Sequence, residues 1–584
     1  MLKINGGIMK IKLIDNLLVT LIISMFLMTT SCKNKTKTIF LQDYITSEMQ
    51  DDIMPAIRKA IEDCNALNAN KLVLPSGCFQ VKGDYAFERY CFVTNNDEGM
   101  KRIVFDLSGF DNMEICGNDT HLDFVGYVVP FLLNYSNNIV ISGISIDYTT
   151  PFHSEAEIIS IDNDFVDVHF DENEFPFEII NDCIYFTNKP TGYDNFNLML
   201  EFDKEKREPS LGAYDYWVDG TIKAERIENN DVRLYKGGLK GTPGNIFVFG
   251  CGHRLVPCFV ISDCSDVLIE NVNVYHTGGM AFVAQRSMNI ELNKCNVTPA
   301  PNKNRIVSAT ADATHFANCG GYIRMIDCLF ENQKDDATNI HGIYNQIVKV
   351  EYPKKLTVKL VHDAQFGFYY LKKDLNIEIV NNSNLITVEQ NVVEDVKTIN
   401  KEYAEITLKE PISADVEEGF VVAQTSYYPE VLIKGCTIRS NRARGLLLGS
   451  RGKIVIDSNY FHVPGSPIYF EGDGSYWFEQ SGVRDVEITR NFFDNCGYGA
   501  PSWGKATIAV GSGIWKDKDK SRYNKNIHVH DNVFRHFDPR IVNIYCVDGF
   551  DFYDNTLVET TDYQYNQIEK RPFITNNCDN INIK

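Results

Sequence analysis

The sequence predicts an all-β fold: a right-handed parallel β-helix with an N-terminal cap helix and two inserted small antiparallel β-barrel modules. Three observations carry this. A unit φ-x-φ-x-x-(Asn/Cys)-x-φ, with φ apolar, begins at Met113, Ile139, Val267, Ile290, Ile323, Val431, Ile454, Val486, Ile527 and Phe550. Several of its intervals, such as Val267 to Ile290, are 23 residues, and others are that length plus an insertion. Two long gaps interrupt the unit with short alternating strands separated by turn residues. Alternating strands joined by short turns at such a period build a solenoid, because each unit buries its apolar face only against its neighbours.

Taken in order, residues 1–31 read as an export signal. Lys10 and Lys12 precede an apolar run over 17–28, and Thr29-Thr30-Ser31 leads to Cys32. The run is short for a membrane span. Cys32 after small residues resembles a bacterial lipoprotein site, in which it becomes the lipid-bearing first residue. The chain is then expected at the cell or outer membrane, simple secretion or a periplasmic location being the alternative.

Residues 32–150 hold the cap and the first coils. An amphipathic helix is expected over 48–67, capped by Thr46 or Ser47, with Ile53, Ile57, Ile61, Cys64 and Leu67 on one face. A cap is physically needed, since the end coil would otherwise expose its core and an open strand edge. The two gaps place the inserted modules at residues 151–249 and 347–428. Solenoid coils then occupy 250–346 and 429–584. Insertions of this kind emerge as loops and wall binding sites.

The third apolar column reads Ile146, Val274, Val297, Phe330, Ile438, Phe461, Phe493, Phe534, Leu557. The sixth position reads Cys295, Cys328, Cys436, Asn459, Asn491, Asn532, Asn555, an inward ladder that satisfies backbone groups or fills space. Of the sixteen cysteines of the chain, Cys295, Cys328 and Cys436 are therefore read as buried thiols of the ladder rather than as disulfide bridges.

The net charge of −21 without a long basic run excludes a nucleic-acid footprint and favours a neutral substrate over a polyanion. No cysteine–histidine cluster has metal-ligand spacing and no glycine loop suits a nucleotide, so neither metal nor cofactor is expected.

The chemistry concentrates between Ser308 and Gly342. Asp312 precedes the strand at Ile323 by about as much as Asp336 precedes the next strand, near Ile347. The two therefore occupy equivalent places on adjacent coils, about 4.8 Å apart where strands stack. Asp335 and Asp336 cannot both face outward from an ideal strand, so one is buried or the backbone bends there. Clustered carboxylates raise one pKa and leave a proton donor beside an ionised base. On neighbouring coils the same face offers Gly278 and Gly279 as room for a sugar. It also offers His315, His341, Arg442, Arg444, Glu471 and Trp477 as substrate-binding candidates, with Asp473 and Tyr476 alongside. His315 and His341 read more readily as satisfied structural histidines.

The helix followed by Val73-Leu74-Pro75-Ser76-Gly77-Cys78-Phe79 resembles the cap of the pectate-lyase-like β-helix superfamily. Ala311-Asp312-Ala313-Thr314-His315-Phe316, followed by Lys334-Asp335-Asp336-Ala337-Thr338-Asn339-Ile340-His341-Gly342, is similar to glycoside hydrolase family 110. These are exo-acting α-1,3-galactosidases that remove the terminal galactose of blood group B antigens. The resemblance covers nearly the whole mature chain and implies inversion of configuration, with Asp312, Asp335 and Asp336 essential. Galactose-terminated glycans are the implied partners, and the insertions offer surfaces for a homodimer. The acid is assigned to Asp312 and the base to the Asp335/Asp336 pair, the sequence leaving open which aspartate is acid and which is base. An Asp followed one coil later by an Asp-Asp pair is also the arrangement of polygalacturonases. A polygalacturonase-like hydrolase, a polysaccharide lyase and a non-catalytic glycan-binding β-helix are the rival readings.

Overall fold

The computed structural model describes residues 37–584, apart from 189–191, 195, 197, 219, 251–252 and 565–568. The export signal and Cys32 lie outside the described residues. The chain winds as a parallel β-helix whose coils pair in register. The first column of the repeat stacks rung on rung: Met113 on Ile139, Ile139 on Val267, Val267 on Ile290, then Ile323, Val431, Ile454, Val486, Ile527 and Phe550. The third column pairs likewise from Ile146 to Leu557. A second parallel sheet closes each coil. Its inward Phe105, Phe131, Phe259 and Phe282 stack with ring centroids 4.6, 4.6 and 4.8 Å apart, the spacing of the strands themselves.

The short strands of each unit turn on one left-handed residue. Lys294, Asp327, Gly435, Ser458, Arg490, Asp531 and Asp554 all have φ between 52° and 68°, and each precedes the Asn/Cys position. This turn aims the sixth side chain inward. Asn459, Asn491, Asn532 and Asn555 then form a buried ladder, each Oδ1 accepting the backbone N–H of the coil before it at 2.8–3.0 Å. Each Nδ2 donates to a backbone carbonyl of the preceding coil. Cys295, Cys328 and Cys436 continue the column as buried free thiols. Asn491→Ala takes the acceptor from the Asn459 N–H and a donor from the Ile456 carbonyl. Urea unfolding is expected to show a loss of about 3 kcal/mol, at the cost of roughly 1–3 kcal/mol per buried unsatisfied group.

The cap helix α1 spans Met54–Leu67, starting six residues later than the periodicity predicts. Asp52 Oδ1 accepts the N–H of both Met54 and Lys82 at 3.0 Å, and Pro55 occupies the first turn. The helix therefore begins where the chain is anchored to the next strand, and Thr46 and Ser47 lie in a turn instead of capping it. Ile53, Ile57, Ile61 and Cys64 are buried as expected, whereas Leu67 is 47% exposed at the helix end.

The first insertion is an antiparallel sheet of eleven strands from Ser154–Ile161 to Ile246–Gly250, around its own core of Val166, Val168, Phe170, Phe186 and Phe249. The second, from Asn345–Glu351 to Val421–Gln424, is a closed six-stranded antiparallel barrel.

Candidate active site

The strand Thr314–Ala317 pairs in parallel with Thr338–Ile343, Thr314 against Thr338. Asp312 and Asp336 each lie two residues upstream and so sit on adjacent rungs, where the Ala313 N–H donates to the Asp336 carbonyl at 3.0 Å. Neither aspartate is inside a strand. The chain from Gln333 to Ala337 runs through bends before the strand starts. That bend lets Asp335 and Asp336 line one cavity together with Asp312, which strict alternation would forbid.

The cavity holds about 450 Å³, room for a small glycan. Coil residues Thr310, Lys334 and Asn339 line it beside the aspartates. Arg442, Arg444, Glu471, Tyr476, Trp477 and Glu479 come from later coils. Leu198 and Trp217 reach in from the first insertion, Arg254 from the segment that follows it, and Asn95 from the loop between the strands Phe87–Cys91 and Gly99–Asp106. Thr310 Oγ1 and Asn339 Oδ1 are buried without a hydrogen-bond partner.

Three arginines neutralise the acidic floor. Arg442 forks onto Asp215 at 2.8 and 2.7 Å and reaches Asp335 at 3.0 Å, while Arg254 holds the other Asp335 oxygen at 2.7 Å. Arg444 binds Asp336 bidentately at 3.0 and 2.7 Å and lies 3.5 Å from Glu471. These fork contacts split the protonation of the aspartates. Burial and then the neighbouring Asp335 charge push Asp312 up to about 8. Burial would also raise Asp335, but Arg442, Arg254 and Arg444 outweigh it and hold its carboxyl below the usual range. Asp336 is pushed up to about 7 by burial, with Arg444 pulling against it and the Asp335 and Asp312 charges adding to the rise. Burial also lifts Glu471 to about 7, against the pull of Arg444. A protonated Asp312 thus faces an ionised Asp335 across one cavity.

The other candidates divide. Arg442, Arg444, Glu471 and Trp477 line the cavity. Trp477 is 44% exposed, and one of its faces is stacked on His362 of the second barrel at 4.7 Å. Asp473 also lines it, but its carboxylate is engaged by the N–H groups of Ser475, Tyr476 and Trp477 and shapes their loop.

His315 and His341 do not take the substrate-binding role. They lie in buried strands, 0% and 5% exposed, outside the cavity lining. Gly278 and Gly279 make no room for a sugar either. A Cβ on Gly278 would meet the Phe152 ring at 2.5 Å, and one on Gly279 would meet Pro257 and Asn96 at 3.0 Å. Both glycines serve close packing of the protein against itself. Sequence reasoning missed Arg254, Asp215, Asn95, Thr310, Asn339, Trp217 and Glu479. Thr310 and Asn339 were legible as near neighbours of the aspartates, but the others occupy no repeat position. Among the described residues no group of three or more His, Cys, Asp or Glu side chains is arranged to hold a metal ion.

Comparison with known proteins matches three family profiles. GLAA-B beta-barrel domain I covers residues 154–246, GLAA-B beta-barrel domain II covers 355–422, and a right handed beta helix region covers 418–584. Alpha-1,3-galactosidase A of Shewanella woodyi is 31% identical over 88% of this chain and 84% of its own. Alpha-1,3-galactosidase B of Bacteroides thetaiotaomicron is 28% identical over 96% and 92%. Among solved structures, the A-module of a mannuronan C-5 epimerase from Azotobacter vinelandii overlays with a TM-score of 0.41 at 10% identity, over 91% of this chain and 98% of that one. With both barrel domains in place and a relative at 31% identity across most of both chains, the protein belongs to the alpha-1,3-galactosidase family.

Proposed function

We propose that this protein is an exo-acting α-1,3-galactosidase that removes terminal α-1,3-linked galactose, of the blood group B type among others, with inversion of configuration. The observation that carries the reading is the split protonation within one cavity: Asp312 raised to about 8 and Asp335 depressed beside it. Asp312 protonates the glycosidic oxygen as the bond breaks. Asp335 is the carboxylate that activates water on the opposite face, with Asp336 beside it, oriented by Arg444. The arginines lining the cavity are all paired with carboxylates of the protein, which favours a neutral sugar over a uronate. The family names of the relatives support the galactosidase reading. Cys32 is proposed as a lipid anchor that holds the enzyme on an exported membrane face.

Proton NMR of an α-1,3-galactosyl disaccharide during digestion tests the mechanism. β-Galactose is expected as the first anomer, and an initial α-anomer overturns inversion. Release of unsaturated uronides from a polyuronate, with no action on the galactoside, would replace the reading by a lyase.

A further inference from the structure

His315 and His341 lie outside the cavity, yet their chain of hydrogen bonds ends on one of its carboxyl groups. His315 Nδ1 is 2.7 Å from Asp312 Oδ2, His315 Nε2 is 2.9 Å from His341 Nε2, and His341 Nδ1 is 2.8 Å from the Gly342 carbonyl oxygen. The direction of every bond follows from the last one. A carbonyl oxygen only accepts, so His341 carries a hydrogen on Nδ1. With both rings neutral, His341 Nε2 is bare and accepts from His315 Nε2–H, which leaves His315 Nδ1 bare. A bare nitrogen 2.7 Å from a carboxyl oxygen is satisfied only when that oxygen carries the hydrogen. The chain therefore holds Asp312 as a carboxylic acid with its O–H turned toward His315.

We propose that His315 and His341 are positioning residues for the reaction, a two-ring relay that keeps the leaving-group acid loaded and reloads it after each turnover. The proposal rests on the assignment of Asp312 as the acid. His341 Nε2 also lies 3.6 Å from Glu479 Oε1, and Glu479 lines the cavity, so a cation formed on His341 has a carboxyl group beside it. In the loading step His315 passes its Nε2 proton to His341 Nε2 and takes the Asp312 proton on Nδ1. The Asp312 carboxylate so formed accepts from His315 Nδ1–H with one oxygen and takes a proton from the cavity on the other. When that proton passes to the leaving oxygen, the His315 Nδ1 proton moves back to Asp312 and the His341 Nε2 proton moves back to His315. One proton has entered and one has left at Asp312, and the resting arrangement is restored. The charged groups facing the pair are Glu479, Arg254 and Asp335. Burial, and next the His341 ring, hold His315 well below its ordinary pKa, which keeps it a neutral conductor rather than a competing cation.

The test compares two substrates in wild type and in His315→Phe and His341→Phe. An α-1,3-galactosyl disaccharide has a sugar alkoxide leaving group that needs the acid, whereas 4-nitrophenyl α-galactoside does not. Both variants are expected to lose roughly 10²–10³-fold in kcat/KM on the disaccharide, the range of general-acid assistance, and less than about 5-fold on the aryl substrate. The alkaline limb of the disaccharide profile is expected to shift with them. Should a Phe variant fail to fold, His341→Gln, which cannot titrate, is expected to give the same selective loss. Equal losses on both substrates with an unchanged pH profile overturn the relay, and so does no loss at all. Histidine nitrogen NMR reads the tautomers without substrate: hydrogen on His341 Nδ1 and His315 Nε2 is expected, and the opposite pattern overturns the relay on its own. A wild type inactive on both galactosides, with the expected tautomers, overturns the proposed function instead.

Discussion

Asp312→Asn is expected to lower kcat/KM on an α-1,3-galactosyl disaccharide by about 10³-fold while largely sparing an aryl galactoside, and Asp335→Asn is expected to lower both by roughly 10³–10⁴-fold. The contrast follows from what each carboxyl group supplies. An amide at 312 keeps a donor toward His315 but has no acidic proton for the leaving oxygen. An amide at 335 keeps the contacts to Arg442 and Arg254 at reduced strength but cannot accept a proton from water. The pH profile separates them further. Asp312 must hold its proton, so wild-type activity is expected to be present below about 8 and to fall as pH rises through that value. Asp335 must be ionised, so activity rises as pH climbs past its depressed pKa. Asp312→Asn removes the falling limb and Asp335→Asn the rising one. Steady-state rates across pH on both substrates check this, with circular dichroism to confirm folding. Equal, substrate-independent losses at 312 would remove Asp312 from the acid role.

Arg442→Met is expected to damage both activity and stability. Its guanidinium bridges Asp215 of the first insertion and Asp335 of the solenoid. Removing it takes the guanidinium from Asp215 and one of two guanidinium partners from Asp335, carboxylates that are only 12% and 19% exposed. Breaking a buried ion pair costs about 3–5 kcal/mol, and the partial exposure here reduces the expected loss to about 2 kcal/mol. Asp335 keeps Arg254 but loses the largest of the influences that depress its pKa, so the rising limb moves to higher pH. Arg442→Lys restores one point charge but cannot fork across two carboxylates, and a partial recovery is expected. Urea unfolding and the pH profile are the measurements. An unmoved rising limb would mean that Arg442 does not hold Asp335 ionised.

The solenoid was legible because its columns are periodic: Val267, Ile290 and Ile323 announce their pairing by spacing, and the paired strands obey it. The same spacing puts Asp312 and Asp336 on adjacent rungs, as the pairing of Thr314 with Thr338 does. What period does not encode was lost. Asp215 and Arg442 meet across 227 residues, one in an insertion and the other in a bend between coils, so no local pattern joins them. Spacing alone left the histidines as both structural and substrate-binding candidates for a related reason. Spacing along the chain places a residue on a coil but does not say whether its side chain reaches the cavity or packs beneath it. Gly278 and Gly279 misled in the same way, since an absent side chain marks a close approach without saying to what.

The bridge from Asp215 to Arg442 also has a consequence in time. A chain that emerges from its N-terminus builds the first sheet module and the aspartate coils early. Asp335 then has only Arg254 until residue 442 has appeared, and part of the cavity wall waits for Trp477 and Glu479. The carboxylates are thus made first and tuned last. A nascent chain that ends between residues 336 and 442 carries three crowded acids with Arg254 alone of the three arginines. A product truncated before the loop at 471–479 keeps the lining given by Leu198, Trp217, Arg442 and Arg444 but lacks that of Trp477 and Glu479, so the cavity is complete only once that loop has appeared.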